Sequence, residues 1–137
     1  MLFRSPHFVV VSRHADFTFD ERFWQSDRVT LLLPHDGPDV PVPCIRTGHG
    51  TPDLAAALAV LDARTVLSEG GPTLNGLLVA DDLVDEVNLT WSPRIAGGAG
   101  GRLATGAPEA LRPMRLAHLY EDDDFVFARY LRDRSAQ

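Results

Sequence analysis

The chain has little of what disulfide, metal, nucleic-acid or membrane proteins are built from. Its single cysteine, Cys44, leaves no intrachain disulfide and no multi-cysteine metal site. Positive charge is in deficit: thirteen basic against nineteen acidic residues give a formal charge of −6, and no basic stripe collects on a predicted face. That balance argues against nucleic acid and anionic membranes as partners, while leaving room for a small basic site for a phosphate. No apolar run is long enough to span a bilayer, and the start, MLFRSPHF, has no apolar h-region of a signal peptide. A reducing, cytoplasmic setting is the expectation. His7, His14, His35, His49 and His118 show no metal-ligand spacing and read as surface or turn residues. No Ser-His-Asp or Cys-His arrangement can be argued from spacing.

What is present is an ordinary globular core. At 137 residues and 45% hydrophobic content the chain reads as one domain, 1–137. FVVVS (8–12) and VTLLLP (29–34) are continuous β-branched and apolar runs, the pattern of parallel strands buried on both faces. The intervening RHADFTFDERFWQSD reads as a structured connection with a short helical turn. HDGPDVPVPCIRTGHG (35–50) is dense in Pro and Gly, so it is loop with at most one short edge strand. TPDLAAALAVLDA follows as a helix, with Thr51 expected as N-cap and Pro52 at N1. RTVLSE reads as a third buried strand, followed by a helix from Pro72 to residues 80–82. VDEVNLTWSPRI (84–95) alternates as a strand, and GGAGGR (97–102) is loop. MRLAHLYE (114–121) and FVFARYLR (125–132) flank an acidic turn and predict an antiparallel hairpin. The order β, β, α, β, α, β, β, β implies an α/β fold with a mixed sheet and flanking helices.

The stretch LSEGGPTLNGLLV (67–79) carries the chemistry. A strand ending in Glu69, turning through Gly70 and Gly71 and entering a helix at Pro72 points free N–H groups and a helix dipole at the carboxyl edge of a sheet. Anions bind there in α/β proteins, and a phosphate approaches backbone closely only where no Cβ intervenes. Thr73 adds a hydroxyl and Asn75 an amide. Taken alone, the two glycines are equally well read as a tight βα turn.

The longer run VLSEGGPTLNGLLVADDLVDEVNLTWSPRIAGG resembles the reductase domain of the bifunctional riboflavin-biosynthesis deaminase/reductase, a dihydrofolate-reductase-like fold. The resemblance rests on Glu69-Gly70-Gly71-Pro72-Thr73-Leu74-Asn75, the Asp85-Glu86 pair, Pro93 and Gly97-Gly98. It extends more weakly to FVVVSR and to the terminal hairpin. It implies an NADPH-dependent reductase that converts a ribosylamino group on a pyrimidine phosphate, or on another small heterocycle, to the ribitylamino form. On this resemblance Gly70, Gly71, Pro72, Thr73, Leu74, Asn75, Gly76 and Leu77 line the dinucleotide, and Glu69 reaches the substrate. Ser12 and Arg13 take the 2′-phosphate, for which a planar guanidinium is well shaped, and LLLPH (31–35) flanks the adenine. The Gly70-Gly71 peptide is expected to be cis.

Asp85 and Glu86 are adjacent and point to opposite faces if extended, so they read as structural rather than as an acid/base pair. Hydride transfer needs positioning more than a protein acid or base, and no catalytic residue is singled out. The resemblance also implies a front strand, loop and helix that this sequence does not show, and no H-x-E or P-C-x-x-C zinc signature of the deaminase half occurs. The N-terminal part of the fold is thus expected to be missing, with a homodimer through the terminal strands. The alternative reading is a non-catalytic dinucleotide-binding remnant.

Overall fold

The computed structural model describes residues 6–106, 108 and 111–135; the opening residues 1–5 lie outside them. The chain falls into two compact units, Met1–Thr65 and Val66–Gln137.

The first unit is built on a parallel sheet of order β1-β2-β3, with β1 Phe8–Val11, β2 Val29–Leu33 and β3 Cys44–Arg46. The central strand is the most apolar, and its Leu31 and Leu33 are fully buried. As expected from the sequence, the run VTLLL sits between two neighbours, and the short Pro-flanked CIR takes the edge. The connection between β1 and β2 supplies much of the core. Trp24 is buried, with its ring centroid 4.9 Å from Phe17, 5.2 Å from Phe19 and 5.1 Å from Phe23. Helix α1, Leu54–Val60, buries Leu54 and Ala57. Its N-cap is Asp53, not Thr51: the Asp53 carboxylate accepts from the Ala56 N–H at 2.9 Å, which makes Pro52 part of the lead-in rather than N1. Thr47 holds that lead-in, because its buried hydroxyl donates to the Asp53 carbonyl at 2.8 Å.

The second unit contains helix α2, Pro72–Ala80, and an antiparallel sheet of order β4-β6-β5, with β4 Glu86–Trp91, β5 Met114–Asp122 and β6 Phe125–Arg132. The hairpin falls where the alternation places it. Asp123 and Asp124 form its turn with φ of 48° and 66°, the left-handed pair of a two-residue hairpin, which Asp tolerates better than most residues. A bulge between Leu116 and His118 interrupts β5.

The fold class is the expected mixed α/β, with its parallel and antiparallel strands in two separate ladders. RTVLSE, read as a strand, is irregular chain without a ladder. Among the described residues no backbone hydrogen bond joins residues 64–69 to either sheet, and Val66 and Leu67 are 53% and 77% exposed. A strand is stable only with a neighbour to pair with, and apolar character alone does not supply one.

Candidate functional site

Helix α2 starts at the expected place. Gly71 is its N-cap, Pro72 stands at N1, and no side chain caps this end. Proline suits N1 because its φ is preset and its missing N–H has no intrahelical partner there. The Asn75 N–H closes the first turn on the Gly71 carbonyl at 3.1 Å. Glu69, Gly70, Gly71, Pro72 and Thr73 are all exposed, so the uncapped turn opens to solvent. The Gly70-Gly71 peptide is trans rather than cis, since no cis bond occurs among the described residues. Trans is the lower-energy form of a non-proline peptide.

The three glycines here differ in what they are for. A Cβ on Gly70 would meet Leu74 Cδ2 at 2.5 Å, so Gly70 lies close against the Leu74 side chain of the first turn, which would have to shift to admit a larger residue. A Cβ on Gly76 would collide with the Thr105 carbonyl oxygen. The backbone of residues 103–105 crosses the helix at that point: the Thr105 N–H donates to the Pro72 carbonyl at 2.9 Å, and the Asn75 amide donates to the Leu103 carbonyl at 3.0 Å. Gly71 has no such duty. No atom lies within 4 Å of its ideal Cβ, and its φ of −74° is open to any residue. Thus Gly76 and Asn75 serve the chain's own packing, whereas the bare backbone at Gly71 faces outward. Leu74 and Leu77 are half-buried within the helix.

At its other end the helix is tied down by arginines. Arg112 donates to the Val79 and Ala80 carbonyls at 3.1 and 2.6 Å, a cation on the negative end of the dipole. Asp82 accepts from Arg132 at 2.6 Å and Arg134 at 2.9 Å and lies 3.6 Å from Arg112. The Arg132 hydrogen bond, ahead of the surrounding arginine charges, holds its carboxyl below the ordinary value. Asp85 and Glu86 each pair with an arginine, Arg134 at 2.9 Å and Arg129 at 2.6 Å, the structural role read for them.

Ser12 and Arg13 belong to the first unit, immediately after β1. The Ser12 N–H extends the ladder to the Leu32 carbonyl, and its hydroxyl accepts from the His14 and Ala15 N–H groups at 3.3 and 3.0 Å. That turn leaves Arg13 exposed, without a hydrogen bond or ion pair to any described residue. The carboxyl ends of the neighbouring strands carry a feature the sequence reading missed. His35, two residues past β2, and His49, three past β3, lie with ring centroids 5.3 Å apart. Between them Asp36 accepts from the Gly50 N–H at 2.7 Å, the main cause of its carboxyl lying below the ordinary value, with His49 and His35 adding to it. Arg46 braces the same turn by donating to the Pro34, Gly37 and Pro38 carbonyls. The signal was a PHD and a GHG segment, each following a strand of one parallel sheet; the thirteen residues between His35 and His49 hid it. Among the described residues no three His, Cys, Asp or Glu side chains group as a metal site, and no helix is long and apolar enough to cross a membrane.

Comparison with known proteins places this geometry in a family. Residues 3–127 match the RibD C-terminal domain, and the chain belongs to that family. Its structure is similar to RibD of Acinetobacter baumannii, with a TM-score of 0.71 and 17% identity over 91% of this chain and 37% of that one. It is also similar to a pyrimidine reductase-like protein from Corynebacterium diphtheriae NCTC, with a TM-score of 0.75 and 20% identity over 94% of this chain and 62% of that one. At these identities the likeness establishes the fold, and the chain spans less than two thirds of either relative.

Proposed function

We propose that the chain is an NADPH-dependent reductase domain of the riboflavin-biosynthesis type, reducing a ribosylamino-pyrimidine phosphate to its ribitylamino form. Family membership supports the reaction class. The observation that carries the cofactor half is Gly71, a glycine that neither packing nor backbone conformation demands, at the uncapped start of α2. The first-turn N–H groups, which no side chain caps, and the positive dipole end are suited to the pyrophosphate, with Thr73 able to add its hydroxyl. When bound, NADPH would supply a hydride to the sugar carbon bearing the amine; the bond from that carbon to the ring oxygen breaks, and the freed oxygen takes up one proton to give the open ribityl chain. The protein's part is binding and orientation: α2 holds phosphate oxygens, Arg13 with Ser12 holds the 2′-phosphate, and Glu69 contacts the polar substrate.

In this proposal residues 1–137 work as one reductase domain, because the likeness to solved reductase-fold structures runs over more than nine tenths of the chain. The setting is the cytoplasm, the substrate a small pyrimidine or related heterocycle, and the active species a homodimer. Calorimetric titration of the full chain with NADPH tests the cofactor site. The expected result is micromolar binding that Gly71→Asp abolishes by placing a carboxylate where the phosphate lies. Absence of binding by folded wild-type protein would overturn it. One observation favours a second reading, a binding remnant without turnover: the segment leading to Glu69 pairs with no strand among the described residues. The two readings separate on NADPH consumption with substrate present.

A further inference from the structure

The carboxyl edge of the parallel sheet holds two histidines that the proposed reductase chemistry does not use. Leu33 and Arg46 are partners in the register of β2 and β3, so two residues further on His35 lies opposite Gly48, and its N–H donates to the Gly48 carbonyl at 2.8 Å. Gly48 has a φ of 69°, and a Cβ there would collide with the Thr51 carbonyl oxygen. With Gly50 also left-handed, at φ 67°, the chain turns on both sides of His49. The imidazoles of His35 and His49 end with centroids 5.3 Å apart and planes tilted by 42°. Both side chains are exposed, and neither makes a hydrogen bond or ion pair with a described residue. The loops that carry them are nonetheless fixed. Asp36 accepts from the Gly50 N–H at 2.7 Å, the Thr47 N–H donates to the Leu33 carbonyl at 3.0 Å, and Arg46 donates to the Pro34, Gly37 and Pro38 carbonyls.

The bland account of the pair is an aromatic contact, for which 5.3 Å is an ordinary separation. Any ring would serve for that. The chemical account uses what sets histidine apart, a ring nitrogen that binds late first-row divalent ions at about 2.0–2.1 Å. Two imidazoles on one tetrahedral ion at that bond length have centroids roughly 5 Å apart, the spacing of His35 and His49. Charge points the same way. The Asp36 carboxylate, held on the Gly50 N–H, interacts electrostatically with both rings and favours a cation beside them. The opposing charge of Arg46 is taken up by its three carbonyls and by Asp39 at 3.8 Å. Because the backbones of both histidines are already fixed, an ion would have little loop ordering to impose.

We propose that His35 and His49 together bind one late first-row divalent cation, of the class of Zn²⁺, Ni²⁺ and Cu²⁺. Imidazole ligands select against Mg²⁺ and Ca²⁺, which take oxygen. Among the described residues no third His, Cys, Asp or Glu completes the set, so water fills the remaining positions and the ion is exchangeable. The inference is independent of the cofactor, substrate and reaction proposed above. The test is calorimetric titration of the full chain, free of any affinity tag, with nickel chloride and with zinc chloride. One ion per chain is expected, with no binding of magnesium chloride under the same conditions. Removing a group that merely orients a metal ligand costs tenfold or more in affinity, so His35→Ala and His49→Ala should each weaken nickel binding by about tenfold at least. His49→Phe separates the two accounts, because it keeps a ring and removes the nitrogens. It should lose nickel binding while the metal-free chain keeps its urea midpoint, and excess nickel should raise that midpoint for wild type alone. No nickel or zinc binding by folded wild-type chain would overturn the proposal. So would binding undiminished in both alanine variants, which would put the ion on His7, His14 or His118, or binding retained by His49→Phe.

Discussion

At the residue scale the account turns on Gly71. Asp and Ser are better N-caps than glycine, and the backbone there already has the extended conformation a cap residue adopts, φ −74° and ψ 178°. A glycine with no cap bond therefore forgoes stability that a substitution would supply. Gly71→Asp is expected to stabilise the folded chain by a few tenths of a kcal/mol in urea denaturation while removing NADPH binding. Loss of both together would mean that the glycine is structural. Gly76→Ala should behave in the opposite sense, because its Cβ has nowhere to go against the Thr105 backbone. A loss of about 2 kcal/mol or more is expected from the same measurement. These roles could not be separated in the sequence, where both positions are simply glycine near a helix start; only the crossing of residues 103–105 distinguishes them.

Elements were legible wherever a local rule sufficed. Pro72 after two glycines marked the start of α2, alternation around DDD marked the hairpin, and continuous β-branched runs marked β1 and β2 as parallel; only β2 is buried as expected, because β1 lies at the sheet edge with Phe8 exposed and Val9, Val10 and Val11 half-buried. Two expectations depended on partners that local sequence does not describe. RTVLSE has strand composition without a neighbour to pair with, and the α1 cap moved from Thr51 to Asp53 because Thr47 fixes the approach. The Asp82 cluster was also invisible, since Arg112, Arg132 and Arg134 reach it from thirty to fifty-two residues away. It has a measurable consequence. Because Asp82 titrates below its ordinary value in the folded chain, its contribution to stability is complete above the unfolded-state pKa, about 3.9, and is lost as pH falls through the folded value. Asp36 and Glu86 act in the same direction, through the Gly50 N–H and the Arg129 guanidinium respectively. Stability followed by urea denaturation should fall in acid below about pH 4. Asp82→Asn should lower stability at neutral pH and flatten that acid limb; an unchanged limb would show the cluster to be inert.

At the scale of the whole molecule, burial is unevenly shared. The first unit holds Trp24, Val29, Leu31 and Leu33 in one cluster, whereas the second buries little beyond Ala128 among its described apolar residues. Leu31→Ala is therefore expected to cost about 2–5 kcal/mol, and native-state hydrogen exchange should be slowest in the amides of β2. Faster exchange in β2 than in β6 would contradict that distribution. Fold class and the glycine turn could be read from one sequence because they rest on short-range patterns; the paired imidazoles His35 and His49 could not, because they come together only once the strand registers are set. The central claim, hydride transfer by a domain of this family, is tested most directly by isotope. The full chain would be incubated with the ribosylamino-pyrimidine phosphate and NADPH deuterated at its hydride-donating carbon, and the product weighed by mass spectrometry. The account predicts a ribitylamino product carrying one deuterium on the sugar carbon next to the amine. Unchanged substrate, with NADPH bound but not consumed, would contradict it.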